Sequence, residues 1–271
     1  MDTGSMMKQH IIGGFGSIAT TMAEQHKRFG LGRDITMDTG SIIEIHTIIG
    51  IEEITAITMG ADIANTIEAG IMAEGITKNL AKLQIFLCRH GETEWTLTGQ
   101  HTSFSDISLT ENGRKQAIEL QKKLQGIAFH KVIVSPMSRA KETCKLAGFD
   151  HQKIIEPYVM EWNYGEYEGI TTSQIQEKQR KWNIFDDGTP NGESPDDVAD
   201  RADHILKKLL HETGNILIFS HAHFSRVLAA RWIGLDPSAG KYFYLSVASL
   251  SILSYEHDQR VIKHWNISGD L

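Results

Sequence analysis

Cysteine is nearly missing: Cys88 and Cys144 are the only two in 271 residues, and they do not form a CxxC pair. That leaves no disulfide framework and no zinc ribbon, and it fits a reducing, cytoplasmic setting. Long apolar runs are missing as well. None reaches the roughly 18 residues of a membrane span, so no membrane partner is expected. Positive charge is in deficit: 27 Lys and Arg stand against 34 Asp and Glu, a net charge of −7. With a pI near 6.0 there is no basic footprint for nucleic acid. The N-terminus shows no charged start followed by a continuous apolar core, so it does not read as a signal peptide. No GxxxxGK[ST] occurs, which argues against a P-loop, and GGFG at 13–16 is only a weak glycine cluster. An anionic substrate would have to be met by local basic residues working against the overall field.

The absences are unevenly placed. Residues 1–82 contain no proline, tryptophan, tyrosine, cysteine or valine, and are rich in Ile, Thr, Gly and Met. A packed core normally mixes aromatic, Leu and Val shapes. Asp38-Thr39-Gly40-Ser41 resembles an aspartic-protease active-site loop, and Asp2-Thr3-Gly4-Ser5 supplies a second copy. Two carboxylates sharing a proton need such a pair. These copies are too close for each to occupy its own β lobe, and one lies at the terminus. The bland reading is a turn-forming Asp-Thr-Gly in a low-complexity extension. Residues 1–82 are therefore expected to be a dispensable or poorly ordered extension, either as a low-complexity segment or as residues upstream of a natural start at Met72, and 83–271 to be the folded domain.

From Leu83 the pattern becomes orderly. LQIFLC (83–88), KVIVSP (131–136) and NILIFS (215–220) are short, apolar and β-rich, which predicts strands. The spacing predicts helices over 110–125, 137–148, 194–211 and 223–234. Thr110 and Ser194 stand as N-caps, and Pro195 at a first helical position. In the first of these helices Ala117, Ile118, Leu120 and Leu124 form the expected apolar face. Residues 244–255 and 261–265 read as late strands. Strands alternating with helices predict an α/β fold, a three-layer α/β/α sandwich on a mostly parallel sheet.

Three of these strands end in polar residues at corresponding places: Arg89-His90-Gly91-Glu92, Ser135-Pro136-Met137-Ser138-Arg139, and Ser220-His221-Ala222-His223. Ligands of open α/β sheets bind at the carboxyl ends of strands. Arg89, His90, Arg139 and His221 are thus expected to converge on one pocket. Two arginines and two histidines around a point suit a phosphoryl group, because arginine forks match phosphate oxygens and a helix beginning near Met137 adds amides. A cysteine phosphatase is excluded by spacing: after five intervening residues, Cys88 is followed by Glu94 and Cys144 by Asp150, not by arginine.

RHGETEW, TGQHTSFSDISLTENGRKQA, SPMSRAKET, EWNYGEYEG and SHAHFSRVLAARW, in that order, resemble the signature segments of the histidine phosphatase superfamily, the phosphoglycerate-mutase-like enzymes. The resemblance covers roughly 83–268. TGQHTSFSDISLT with WNIFDDGTPNGES is most similar to the branch of sedoheptulose-bisphosphatase and related small sugar-phosphate phosphatases. It implies that His90 is the nucleophile, that Arg89 and Arg139 clamp phosphate, and that His221 donates to the phosphoryl oxygens. Glu161 is implied as general acid, a role that needs its pKa raised by desolvation and a nearby anion. Gln100, Thr102 and Tyr164 match substrate-contacting positions. Glu92 is expected to support the site, and Glu166 and Glu168 to be solvated loop charges. His223 could orient His221, or His221-Ala222-His223 could bind a metal; the metal reading is the weaker. Ala222 departs from the glycine usual there by one methyl.

The expectation is a metal-independent phosphomonoesterase with no cofactor, working through a phosphohistidine on a small phosphorylated metabolite. A mutase and a non-catalytic phospholigand-binding protein are the alternatives. The short segment between Glu161 and His221 favours hydrolysis, since a capping insertion that excludes water would need more chain. The 182–194 loop is expected to help choose the substrate. Oligomeric state is not legible.

Overall fold

The computed structural model describes residues 82–268. The Asp-Thr-Gly-Ser copies, Met72 and all of the expected extension except Lys82 lie outside the described residues. The fold is α/β as expected. Strands β1 (Gln84–Arg89), β2 (Lys131–Val134), β3 (Lys153–Ile155), β4 (Asn215–Ser220), β5 (Leu250–Glu256) and β6 (Gln259–Ile267) form one sheet in the order β3-β2-β4-β1-β5-β6. The first four in that order are parallel, β5 pairs antiparallel with β1, and β6 pairs antiparallel with β5.

The apolar runs are explained by burial on both faces, the usual reason parallel strands do not alternate. Ile85 and Leu87 of β1, Ile133 of β2 and Ile216 and Ile218 of β4 face one layer, with Trp162, Phe224, Val227 and Trp232. That layer contains helices α6 (Pro195–Leu209) and α7 (Ala222–Trp232). Phe86 and Cys88, Val132 and Val134, and Leu217 and Phe219 face the other layer, against Leu120, Leu124, Ala140 and Cys144. Those four come from α2 (Glu111–Leu124) and α3 (Ser138–Leu146). The residue-by-residue alternation between the two clusters is the period-2 geometry of a strand.

The caps fall where expected. Thr110 accepts from Gly113 N–H, and Ser194 forms a capping box with Asp197 ahead of Pro195. The apolar face of α2 needs one correction. Gly113, Ala117, Leu120 and Leu124 are buried, whereas Ile118 is 44% exposed, because it lies about 100° round the helix from Ala117. The late strand is shorter than expected. Residues Pro237–Tyr242 form a 3₁₀ turn and the chain enters β5 only at Leu250. Short elements without a periodic signal were not foreseen: β3, α1 (Glu94–Thr98), α4 (Thr172–Lys178) and α5 (Ile184–Asp187). Among the described residues no helix is long and apolar enough to cross a membrane.

Candidate active site

Strand order brings the polar termini together. β4 lies between β2 and β1, with Arg89 opposite Ser220 and Val134 opposite Phe219. His90 N–H then bonds Ser220 O (3.1 Å) and Ser135 N–H bonds Phe219 O (3.0 Å). The residues just past the three strands are therefore neighbours at one sheet edge.

His90 is 4% exposed, and its Nδ1 lies 2.8 Å from Gly91 O. A carbonyl oxygen only accepts, so Nδ1 carries the proton and Nε2 keeps its lone pair. Burial, reinforced by the charges of Arg139 and Arg89, holds this imidazole well below the usual histidine pKa. His90 is thus a neutral ring with a bare Nε2. The loop that carries it is tightly seated. A Cβ on Gly91 would stand 2.4 Å from Gly113 O, and one on Gly113 would stand 2.2 Å from Glu92 O. Glu92 completes the seat: its carboxylate accepts from Thr110 Oγ1 (2.7 Å) and Asn112 Nδ2 (2.9 Å) at the start of α2. That agrees with the supporting role expected of it.

The His221 ring centroid is 5.2 Å from that of His90. His221 is fully buried, its Nε2 is 2.7 Å from Ser135 Oγ, and its Nδ1 has no partner among the described residues. Burial, with Arg139, His90 and Arg89 nearby, holds it neutral as well. The Arg139 guanidinium donates to the carbonyls of Thr102 (3.1 Å), Ser103 (3.2 Å) and Ser105 (3.2 Å). Arg89 donates to Leu245 O at 2.6 Å. Both retain a buried Nε–H with no acceptor among the described residues. Burial lowers both arginines from their ordinary value, with Glu161 the largest opposing influence. Guanidinium groups remain cations through such shifts.

Glu161 is 6% exposed. Its Oε1 accepts from the N–H groups of Trp162 (2.9 Å) and Phe224 (2.9 Å), and its Oε2 accepts from His223 N–H (3.1 Å). His223 and Phe224 begin α7, whose own N-cap, His221, makes no side-chain cap bond. Glu161 caps that helix from more than 60 residues away. The segment 158–163 is clamped in turn. Arg201 of α6 donates to the carbonyls of Tyr158 (2.9 Å) and Met160 (3.0 Å), and grips Glu193 through Nε (2.6 Å) and Nη2 (2.8 Å).

The expected substrate contacts fare differently. Tyr164 is buried, with its OH 2.6 Å from His223 Nδ1 and its hydroxyl pushed well above the usual phenol pKa by burial and Glu161. Thr102 meets Arg139 through its carbonyl. Gln100 spends its amide on the scaffold, donating to Gly169 O (2.9 Å) and accepting from Thr98 Oγ1 (2.6 Å). His223 is hydrogen-bonded to Tyr164 rather than to His221, so it does not orient that ring. His101 packs on Tyr164 at 4.6 Å between ring centroids, and burial pushes it down to about 4. Glu168 is corrected: it is no solvated charge, since its carboxylate accepts from Ser103 N–H (2.8 Å) and Ser105 N–H (3.0 Å), holding the loop that holds Arg139. Glu166 is exposed and accepts from Asn191. Ser135 and the Arg201–Glu193 pair went unread. Ser135 stood in the quoted SPMSR motif, but nothing local to Arg201 or Glu193 signals a tertiary clamp. Among the described residues no group of three or more His, Cys, Asp or Glu side chains is placed to hold a metal ion.

A family model described as histidine phosphatase superfamily (branch 1) matches residues 85–268. An acid phosphatase of Mycobacterium tuberculosis is 38% identical over 69% of this chain and 93% of its own length. A sedoheptulose 1,7-bisphosphatase of Saccharomyces cerevisiae is 31% identical over 55% of this chain and 67% of its own. Thus the bisphosphatase branch singled out by motif resemblance is the more distant of these two. A solved structure of an open reading frame of Mycobacterium tuberculosis superposes with a TM-score of 0.66 at 36% identity, covering 69% of this chain and 98% of that one. With two-thirds of its length matched and its fold shared, the chain belongs to branch 1 of the histidine phosphatase superfamily and is a phosphatase of that family.

Proposed function

We propose that the chain is a metal-independent phosphomonoesterase that works through a phosphohistidine at His90, on a small phosphorylated metabolite such as a sugar phosphate. The observation that carries this reading is a set of three buried nitrogens with no hydrogen-bond partner among the described residues, Arg89 Nε, Arg139 Nε and His221 Nδ1, on the residues that surround neutral His90. An unpaired buried donor costs about 1–3 kcal/mol, and a phosphoryl group offers an acceptor to each. His90 Nε2 attacks phosphorus and the P–O bond to the leaving group breaks, while Glu161 gives that oxygen a proton. Arg89, Arg139 and His221 stabilise the charge spread over the equatorial oxygens, the main lever in phosphoryl transfer. Water then attacks phospho-His90 as Glu161 takes its proton, the P–N bond breaks, and phosphate leaves. Since His90 is held well below the ordinary histidine pKa, its nucleophilic form persists into mildly acidic solution. Its likeness to an acid phosphatase supports hydrolysis, and the more distant bisphosphatase supports sugar phosphates as the class to test first.

The test is phosphate release in EDTA from sedoheptulose and fructose bisphosphates, phosphoglycerates and 4-nitrophenyl phosphate, comparing the full chain with His90→Ala. Release that survives EDTA, is lost in the variant and passes through an acid-labile phosphoenzyme is expected. Release abolished by EDTA, or retained in His90→Ala, would sink the proposal.

A further inference from the structure

Ser135 follows β2 and is fully buried. Among the described residues its Oγ has two partners. Met137 N–H donates to it from 3.4 Å, and His221 Nε2 lies at 2.7 Å. A serine hydroxyl has one proton to give. Met137 N–H is itself a donor and cannot receive it. Withholding the proton from His221 would strand it in the interior, at a cost of the order of 1–3 kcal/mol. The bond therefore runs from Ser135 Oγ–H to a bare Nε2. A neutral imidazole has one N–H, so the proton of His221 sits on Nδ1. That atom is buried and has no partner among the described residues.

We infer that Ser135 is a positioning residue whose hydroxyl fixes His221 in the Nδ1–H tautomer, keeping a proton on the nitrogen that meets the phosphoryl oxygens. The inference rests on the role proposed for His221. The opposite tautomer would set a lone pair against anionic oxygens, turning a stabilising contact into a repulsive one. Neutrality of the ring is what makes the tautomer matter. Burial and the charges of Arg139 and Arg89 keep His221 unprotonated, so the proton's location is decided by the neighbour on the other nitrogen. Ser135 is itself placed by the sheet, its N–H bonded to Phe219 O at 3.0 Å, two residues before His221. The pair is thus held across adjacent strands.

The experiment uses the full chain labelled with ¹⁵N-histidine, in long-range ¹H–¹⁵N spectra at neutral pH, with His221 assigned by comparison with His221→Gln. Wild type is expected to show His221 protonated on Nδ1, and Ser135→Ala a mixture of tautomers. In Ser135→Ala, kcat for 4-nitrophenyl phosphate is expected to fall about 10–100-fold, the range for lost outer-shell partners, with a much smaller change in KM. A purely structural role would lower the melting temperature while leaving the tautomer and kcat alone, and that result overturns the inference. So does a wild-type His221 protonated on Nε2, which decides the matter even if Ser135→Ala does not fold. If wild type releases phosphate from no ester, the function proposed above fails. The wild-type spectrum still reports on Ser135 separately.

Discussion

At the scale of single residues, the site is governed by neutral histidines. Burial holds His90, His101, His221 and His223 below the ordinary imidazole pKa, with nearby arginines adding to the effect at His90, His221 and His223. In the unfolded chain each takes up a proton near pH 6.5. In the folded chain each resists it. The unfolded state therefore binds more protons below pH 6.5, and stability falls as pH drops through that value. For His101 the window runs from 6.5 to about 4. Its slope is about 1.4 kcal/mol per pH unit and its total about 3 kcal/mol. Thermal melts from pH 7.5 to 4.5 are expected to show a shallower acid limb in His101→Gln than in wild type; parallel limbs would refute the assignment. The arginines and histidines of the cradle were readable as residues because each follows an apolar strand. Tyr164 was readable as a member of the site, but its hydroxyl bond to His223 joins positions 59 apart and leaves no local trace.

At the scale of elements, close backbone contacts and long-range caps fix the geometry. The loop after β1 touches the start of α2 through Gly91 and Gly113, each leaving no room for a Cβ. Gly91→Ala would press a methyl onto a backbone carbonyl that α2 holds in place. The expected result is a loss of at least about 2 kcal/mol by denaturant melts, together with a large fall in kcat, because His90 rides on the same loop. The opposite layer depends on Arg201. It joins α6 to the 158–163 segment and so holds Glu161 against the first turn of α7. Arg201→Met would leave Glu193, 18% exposed, without its cation. A cost of about 3 kcal/mol is expected, with kcat reduced more than KM, since Glu161 is the group displaced. Steady-state kinetics showing an unchanged kcat would mean that the segment is held without the clamp. The capped helices and apolar strands were legible because their signals are local. The clamp was not, because Arg201 and Glu193 on a surface-facing helix and a loop read as ordinary charges.

At the scale of the whole molecule, both apolar clusters and every residue of the proposed chemistry lie within residues 82–268, and the family match spans 85–268. A chain begun at Met72 is therefore expected to keep the melting temperature and the phosphate-release rate of the full chain. A drop in either, measured side by side, would assign residues 1–71 a part in folding or catalysis.

Sequence alone was enough to determine the α/β class, the strands that end in Arg89-His90, Ser135 and Ser220-His221, and the family. These depend on short-range periodicity, caps and contiguous motifs, which survive in one dimension. Tertiary structure decided that β4 lies between β2 and β1, and that Glu161 caps α7 from more than 60 residues away. It also decided that Ser135 meets His221 Nε2 and that Glu168 holds the loop under Arg139. Those contacts join positions tens of residues apart, and the burial that keeps the histidines neutral exists only once both faces of the sheet are covered.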